Sequence, residues 1–274
     1  MYYSNLDQSG NLEMNRGSTK SGLPGTSEVA VFGLTQSVKV DRLEEIACMP
    51  ALNSTDLNYP KTERTKLRRL HERGSYIKDD VHQILDAAPF CHVGYVIDNE
   101  PFVTPTIHWR EGERIYWHGS AASRFLRKAL GERVCITCSF FDGYVLSRSA
   151  FFHSARFRSV MAFGTAQILE GDNEKTEALR QFVDGLFPGR WDTLRPMDPQ
   201  ELKATSILYM DIEEATAKTR DGWPNDPDDA SHPVWAGAIP VTTSLGAAEN
   251  APDLMPGLEV PDSLKKLIAS GRLR

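Results

Sequence analysis

The chain has 274 residues, 41% hydrophobic and 25% charged, with a net charge of −6 and a pI near 5.7. This is ordinary globular composition, enough for a sizeable core, and its acidic balance argues against a general nucleic-acid binder. Four cysteines do not make a disulfide scaffold in a chain of this length, and no apolar run is long enough to span a bilayer.

Nothing near Met1 pairs a cationic stretch with an apolar core, so the expectation is a soluble, cytoplasmic protein in a reducing compartment. Residues 1–59 are polar and rich in Ser, Asn and Gly. They are expected to form an extension with one or two short elements. Arg64, Lys66, Arg68, Arg69 and Arg73 cluster, but Glu63 and Glu72 interrupt them, as on a solvated or subunit-contacting segment.

From residue 60 the pattern becomes regular. Asp79 is expected to cap a helix through Ala88, with Val81, Ile84, Leu85 and Ala88 inward and Pro89 as its stop. Phe90–Ile97 is a strand, and Asp98-Asn99 has turn chemistry. A second strand runs from Phe102 to Trp109. Pro105 inside it cannot donate to a ladder, which predicts an edge or a bulge. Glu111-Gly112 turns the chain into a third strand, Arg114–His118, with Ile115 and Trp117 on one face and Tyr116 and His118 on the other.

Gly119-Ser120 then starts a predicted helix that Gly131 ends, with Ser120 as N-cap. The first N–H groups of a helix lack partners, and its dipole favours an anion there. Ser120, Ser123 and Arg124 add two hydroxyls and a fork-shaped cation, which together suit a phosphate. The bland alternative is an ordinary amphipathic helix with Phe125, Leu126, Ala129 and Leu130 as its core face.

A strand Arg133–Phe141 follows, and Asp142-Gly143 is expected to turn the chain. Leu146–Phe157 has no clean period. Arg158–Leu169 is a strand in which Gly164 marks a bulge or a close approach. A helix runs from Asp172 to about Gly185, and Asp198-Pro199-Gln200-Glu201 carries the signs of another helix start. Ser206–Thr216 is expected as one strand and Pro233–Val241 as the last, before a tail, 242–274, with a short helix from Asp262 to Ala269. Six or seven strands with short turns and scattered helices fit an antiparallel β-barrel decorated by helices, an α+β arrangement with its barrel domain at 60–241.

The ordered motifs narrow this further. Cys91-His92-Val93-Gly94, Pro105-Thr106, His118-Gly119-Ser120, Ala122-Ser123-Arg124, Asp142-Gly143, Arg148-Ser149-Ala150, His153-Ser154, Arg158-Ser159-Val160 and Pro188-Gly189-Arg190-Trp191 occur in that order. Glu201-Leu202-Lys203-Ala204-Thr205 and Pro233-Val234-Trp235-Ala236-Gly237 close the series. Over residues 62–241 the chain resembles the flavin-nucleotide-binding branch of the pyridoxamine 5′-phosphate oxidase-like superfamily, which includes nitroimidazole-resistance-type proteins. The resemblance implies a split β-barrel, a homodimer, and FMN in a groove between subunits. It implies that Ser120, Ser123 and Arg124 hold the phosphate and that Pro105, Thr106, Ile107 and His108 run along the ring. It brings Arg158 and Ser159 to the cofactor, with Lys218 and Arg220 either completing the site from the partner or serving in salt bridges.

It further implies a flavin-dependent oxidoreductase acting on a small molecule bordered by His108, Trp109 and Trp191. Phe157 departs from the aromatic hydroxyl that many relatives carry before Arg-Ser-Val. His118 and His153 are the candidate catalytic groups, as proton donors or, in a haem-binding or haem-degrading alternative, as axial ligands; the bland alternative for each is a hydrogen-bonded structural histidine. A non-catalytic flavin-binding module is the other alternative. Cys135 and Cys138 stand three positions apart on a strand, so they point to opposite faces, as core residues and not a dithiol pair. No metal site is expected, because Cys91-His92 lacks zinc spacing and Asp226, Asp228 and Asp229 lack the Gly and Glu of a Ca²⁺ loop.

Overall fold

Alternating burial along Phe90–Leu146 sets the architecture. Cys91, Val93, Tyr95 and Ile97 turn inward, and the residues between them face out. The computed structural model describes residues 57–226 and 230–273, so the extension expected at 1–59 lies almost wholly outside the described residues. Ten strands occur among those described. They are β1 (Gly74–Ser75), β2 (Phe90–Ile97), β3 (Glu100–Glu111), β4 (Arg114–Ser120), β5 (Arg133–Leu146), β6 (Ser154–Thr165), β7 (Gln167–Ile168), β8 (Thr205–Asp211), β9 (Glu214–Arg220) and β10 (Gly237–Pro240). All ladders are antiparallel, in the order β1-β9-β6-β5-β2-β3-β4-β8-β7, with β10 added to β5.

Local chemistry explains the turns. Asp98 and Asn99 both take positive φ, 52° and 64°, the conformation that closes a two-residue hairpin with the twist of its strands. Gly112 at φ 55° does the same between β3 and β4.

Three strand expectations are corrected. β5 does not turn at Asp142-Gly143 but runs through it with a bulge, and Gly143 is needed there because a Cβ would lie 2.5 Å from the Ile239 carbonyl. β6 starts at Ser154, not Arg158, and β7 is set off from it at Ala166. The expected strand Ser206–Thr216 is two. The chain bends at Ile212-Glu213, where the Ile212 N–H donates to the Glu113 carbonyl (2.8 Å) and the Glu213 N–H to the Phe163 carbonyl (3.0 Å). That bend carries the chain from the β4 ladder to the β6 ladder. It joins the two halves of the sheet covalently, so the ladders themselves do not close.

The interior holds Ile115, Trp117, Val134, Ile136, Val160, Ala162, Leu208, Met210, Ala215 and Ala217. Helix α1 (Lys78–Ala87) inserts Val81, Ile84 and Leu85 at one end of this core. Helix α2 (Arg124–Ala129) inserts Leu126 and Ala129 at the other, with Phe125 5.0 Å from Tyr95. A second apolar layer lies outside β3, β4 and β8. There α3 (Asp172–Leu186) packs Ala178, Leu179 and Phe182 on Trp109, Tyr116 and Ile207. Helix α4 (Pro199–Ala204) has the expected capping box of Asp198 and Glu201, and α5 (Asp262–Ser270) forms in the tail.

Candidate functional site

The sheet parts along one line. β3 pairs with β2 through Glu100–Ile107, but with β4 only through His108–Glu111. On the other side His118–Ser120 continue along β8. Between Glu100–Ile107 and His118–Ser120 no ladder forms, so the β3 edge carrying Pro105, Thr106 and Ile107 is open. Pro105 sits where its missing N–H costs nothing, as its position in the sequence predicts.

The mouth of this split is framed by the β4–α2 turn. Ser120 is the last residue of β4, not the cap of a helix; its Oγ accepts from the Ala122 N–H at 3.2 Å. The helix begins later, at Arg124, with Ser123 in the N-cap position and without a side-chain capping bond. The turn is closed instead by the Ser123 N–H donating to the Ser120 carbonyl at 2.8 Å. The hydroxyl of Ser123 is therefore not consumed by the cap. Arg124 is exposed and lies 5.5 Å over the Phe102 ring, with no ion pair among the described residues.

The remaining candidates are placed as follows. His108 is fully buried, its Nε2 3.0 Å from the Leu85 carbonyl and 3.8 Å from the Cys138 thiol. Its side chain belongs to the core and does not border a substrate; this corrects the expectation, and the cause is that even-numbered positions of β3 turn inward, as the pairing of His108 with buried Trp117 shows. His118 is half-buried against Trp109 (5.9 Å) and Phe182 (5.0 Å), and burial pushes its pKa down. His153 is exposed near the β5–β6 connection. Its Nδ1 lies 2.9 Å from the Ser149 carbonyl, which only accepts, so Nδ1 carries a proton and, in the neutral ring, leaves the lone pair on Nε2. Arg158 donates two hydrogen bonds to the Asp142 carboxylate (2.8 and 2.9 Å) and covers the Phe140 ring.

Ser159, Lys218 and Arg220 share the outer face of β6 and β9; the Ser159 hydroxyl donates to the Lys218 carbonyl at 3.2 Å. Burial and neighbouring Arg73 push the Arg220 pKa down. These strands are separated from β3 by β5 and β2. At ~4.8 Å per strand, the path along the sheet from the open edge is about 14 Å to β6 and about 19 Å to β9. One chain therefore assembles Pro105–Ile107 with Ser120, Ser123 and Arg124, but does not bring Ser159, Lys218 or Arg220 to them.

The outer face of the sheet is the feature that motif spacing did not give. Register places Phe90, Val96 and Val103 on it, exposed by 50%, 52% and 66%. A groove of about 820 Å³ opens on the same face, lined by Phe90, His92, Ser139, Phe141 and Arg158 and by Arg272 of the tail. The signal was present as apolar residues at both parities of Phe90–Ile97. Cys138 is buried, whereas Cys135 is half-buried with its thiol pKa pushed up by burial.

The family model for pyridoxamine 5′-phosphate oxidase matches residues 78–219. Among solved structures, the flavocytochrome Anf3 from Azotobacter vinelandii is 42% identical with a TM-score of 0.72, over 75% of this chain and 97% of that one. The FAD and heme binding protein from Mycobacterium smegmatis is 33% identical with a TM-score of 0.70, over 74% and 99%. No curated protein matches the chain.

Proposed function

Because the chain belongs to the pyridoxamine 5′-phosphate oxidase family, we propose that it binds a flavin nucleotide in the split between β3 and β4 and serves as an oxidoreductase for a small molecule. The fold is the split barrel of that family. The observation that carries the reading is the open β3 edge beside two serine hydroxyls and an exposed Arg124 that has no ion pair among the described residues. Main-chain groups of Pro105–Ile107 suit the polar rim of a planar ring, and Ser120, Ser123 and Arg124 suit a phosphate.

FMN is the flavin we expect from the motifs. FAD contains the same ring, ribityl chain and first phosphate, so these residues suit that half of either, and the M. smegmatis relative is named for FAD. The flavin would supply the electron transfer, and the residues here bind and orient it. Identification of the flavin released from purified protein tests the reading: FMN is expected, FAD corrects the nucleotide, and a protein that takes up neither overturns it. Oxidation of a reductant by the loaded protein separates an enzyme from a flavin carrier.

We further propose a homodimer in which the exposed sheet face of one subunit covers the split of the other. This supplies Ser159, Lys218 and Arg220 from the partner, residues that in one chain stand on strands three and four places along the sheet from the open edge.

A second reading adds haem. The two relatives above are named as a flavocytochrome and as an FAD and heme binding protein. Here His153 fits an axial ligand, since a metal-bound histidine usually donates its other N–H to a carbonyl or carboxylate, and Nδ1 of His153 does so. His118 fits less well, because its buried Nδ1 has no partner among the described residues. A Soret band on addition of hemin, lost in His153→Ala, is the expected result; its absence removes this reading.

A further inference from the structure

The two edges of the split diverge from one place. β3 and β4 share only the four pairs from His108↔Trp117 to Glu111↔Arg114, beside the hairpin tip at Gly112-Glu113, and they part beyond them. The bend that joins β8 to β9 meets the same tip, because the Ile212 N–H donates to the Glu113 carbonyl at 2.8 Å. The angle between β3 and β4 therefore turns on this tip and this bend.

The first described residues, 57–66, are tied to both sides of it. Tyr59 is buried, and its hydroxyl donates to the Glu113 carboxylate at 2.5 Å and lies 2.8 Å from Nε2 of His82 on α1. Lys78 Nζ stands 3.4 Å from the same carboxylate. The backbone is fixed as well: the Tyr59 N–H donates to the Tyr76 carbonyl (2.8 Å), and the Lys78 N–H to the Leu57 carbonyl (2.9 Å). Past Tyr59 the segment reaches Glu214, the buried first residue of β9, just after the bend. Glu214 accepts from the Thr62 hydroxyl and the Arg64 guanidinium, with Arg133 of β5 3.5 Å away. Bonds to a carboxylate are stronger than neutral ones, and here two carboxylates, one on each side of the bend, are held by the same ten-residue segment.

We propose that residues 57–66 clamp the pivot of the split, and that release of this clamp widens the split and speeds the exchange of flavin. The second half rests on the flavin reading above. Tyr59 and Glu214 are positioning residues in this scheme. Neither belongs to the Ser120, Ser123 and Arg124 cradle or to Pro105–Ile107; they act by holding the tip and the bend from which the two edges run.

Hydrogen exchange on the full chain without flavin tests the clamp. Tyr59→Phe removes the hydroxyl and leaves the ring in its buried place. Amides of the four-pair β3–β4 ladder should then exchange about tenfold faster, while those of the β2–β5 ladder at His92–Gly94 keep their rates. Glu113→Gln keeps an acceptor for the Tyr59 hydroxyl and should stay close to the parent. Thr62→Ala with Arg64→Ala loosens the other end of the clamp, should act like Tyr59→Phe, and covers the case in which Tyr59→Phe does not fold. Equal acceleration of both ladders means general loss of stability and overturns the clamp, as do unchanged rates. Flavin release is then followed by fluorescence after dilution of the loaded protein. Tyr59→Phe should release FMN about tenfold faster and take it up faster too, so that affinity changes less than either rate; an unchanged release rate overturns the gating. A parent that takes up no flavin overturns the flavin reading and the gating together, and the exchange rates still decide the clamp.

Discussion

Arg124 is the residue on which the phosphate reading turns. It is exposed, stacked over Phe102 and without an ion pair among the described residues. Arg124→Ala should weaken flavin binding by about ten- to a hundredfold, the cost of one charge-assisted contact, while the melting temperature stays near that of the parent. A fluorescence titration with unchanged affinity would remove it from the site. The histidines make a different prediction. Burial pushes the pKa of both His82 and His118 down. In the unfolded chain each takes a proton at about 6.5, so the unfolded state binds more protons as pH falls below that value. The stability these neutral rings contribute is therefore present above about pH 6.5 and is lost as pH drops below it. Melting temperature should fall between pH 7 and pH 5.5, and His118→Phe should flatten part of that fall; an unchanged slope would deny His118 its share. Residue identities in the sequence pointed to Ser120, Ser123 and Arg124. They could not show that Ser123 holds the N-cap position, because two serines three positions apart both suit a cap. Nor could they show that His108 is core, which depends on strand parity and on the Leu85 carbonyl.

Secondary structure was legible where a local cause sets it. Asp98-Asn99 and Gly112 fix their turns, and Asp198-Pro199-Gln200-Glu201 fixes the start of α4. In that capping box Arg195 and the Asp198 N–H hold the Glu201 carboxyl down at about 2. A carboxylate whose folded pKa is depressed adds stability above its unfolded pKa and loses it as pH falls toward the folded one. Glu201→Gln should therefore erase the pH dependence that this residue gives to local opening of α4 between about pH 4.5 and 2, as hydrogen exchange of its amides would show. Boundaries were hidden where tertiary contacts decide them. Asp142-Gly143 has the same chemistry in a turn as in a bulge, and only the nearby Ile239 carbonyl distinguishes the two. The bend at Ile212-Glu213 carries no glycine or proline and is set by bonds to Glu113 and Phe163. Gly164 was the local hint of it: a Cβ there would lie 2.3 Å from the Asp211 carbonyl. Gly164→Val should push β6 away from the end of β8 and cost about 1–3 kcal/mol by overpacking, read as a lower urea midpoint; an unchanged midpoint would show that the approach is not needed.

At the scale of the molecule, the outer sheet face and the split are the two surfaces that the proposed homodimer joins. Val103, Phe90 and Val96 expose apolar area, and Lys218 and Arg220 stand on β9, four strands from the open β3 edge. Motif order named Lys218 and Arg220 but not their distance from the split, which follows only from strand order. A two-fold pair that lays one face on the other's split satisfies both, since each copy gives and receives the same residues. The test is complementation. Arg124→Ala and the double change Lys218→Ala with Arg220→Ala should each leave homodimers poor in flavin. Mixed subunits, dissociated and reassociated in equal amounts, give half heterodimers. Each heterodimer has one site with an intact cradle from one chain and intact β9 from the other, so about a quarter of the parental flavin content should return. If all the residues acted within one chain, every chain would still carry a defect and nothing would return. Sedimentation run in parallel would show a dimer for the parent, and Val103→Asp, which puts a charge at the centre of the proposed contact, should shift it to monomer and release the flavin together.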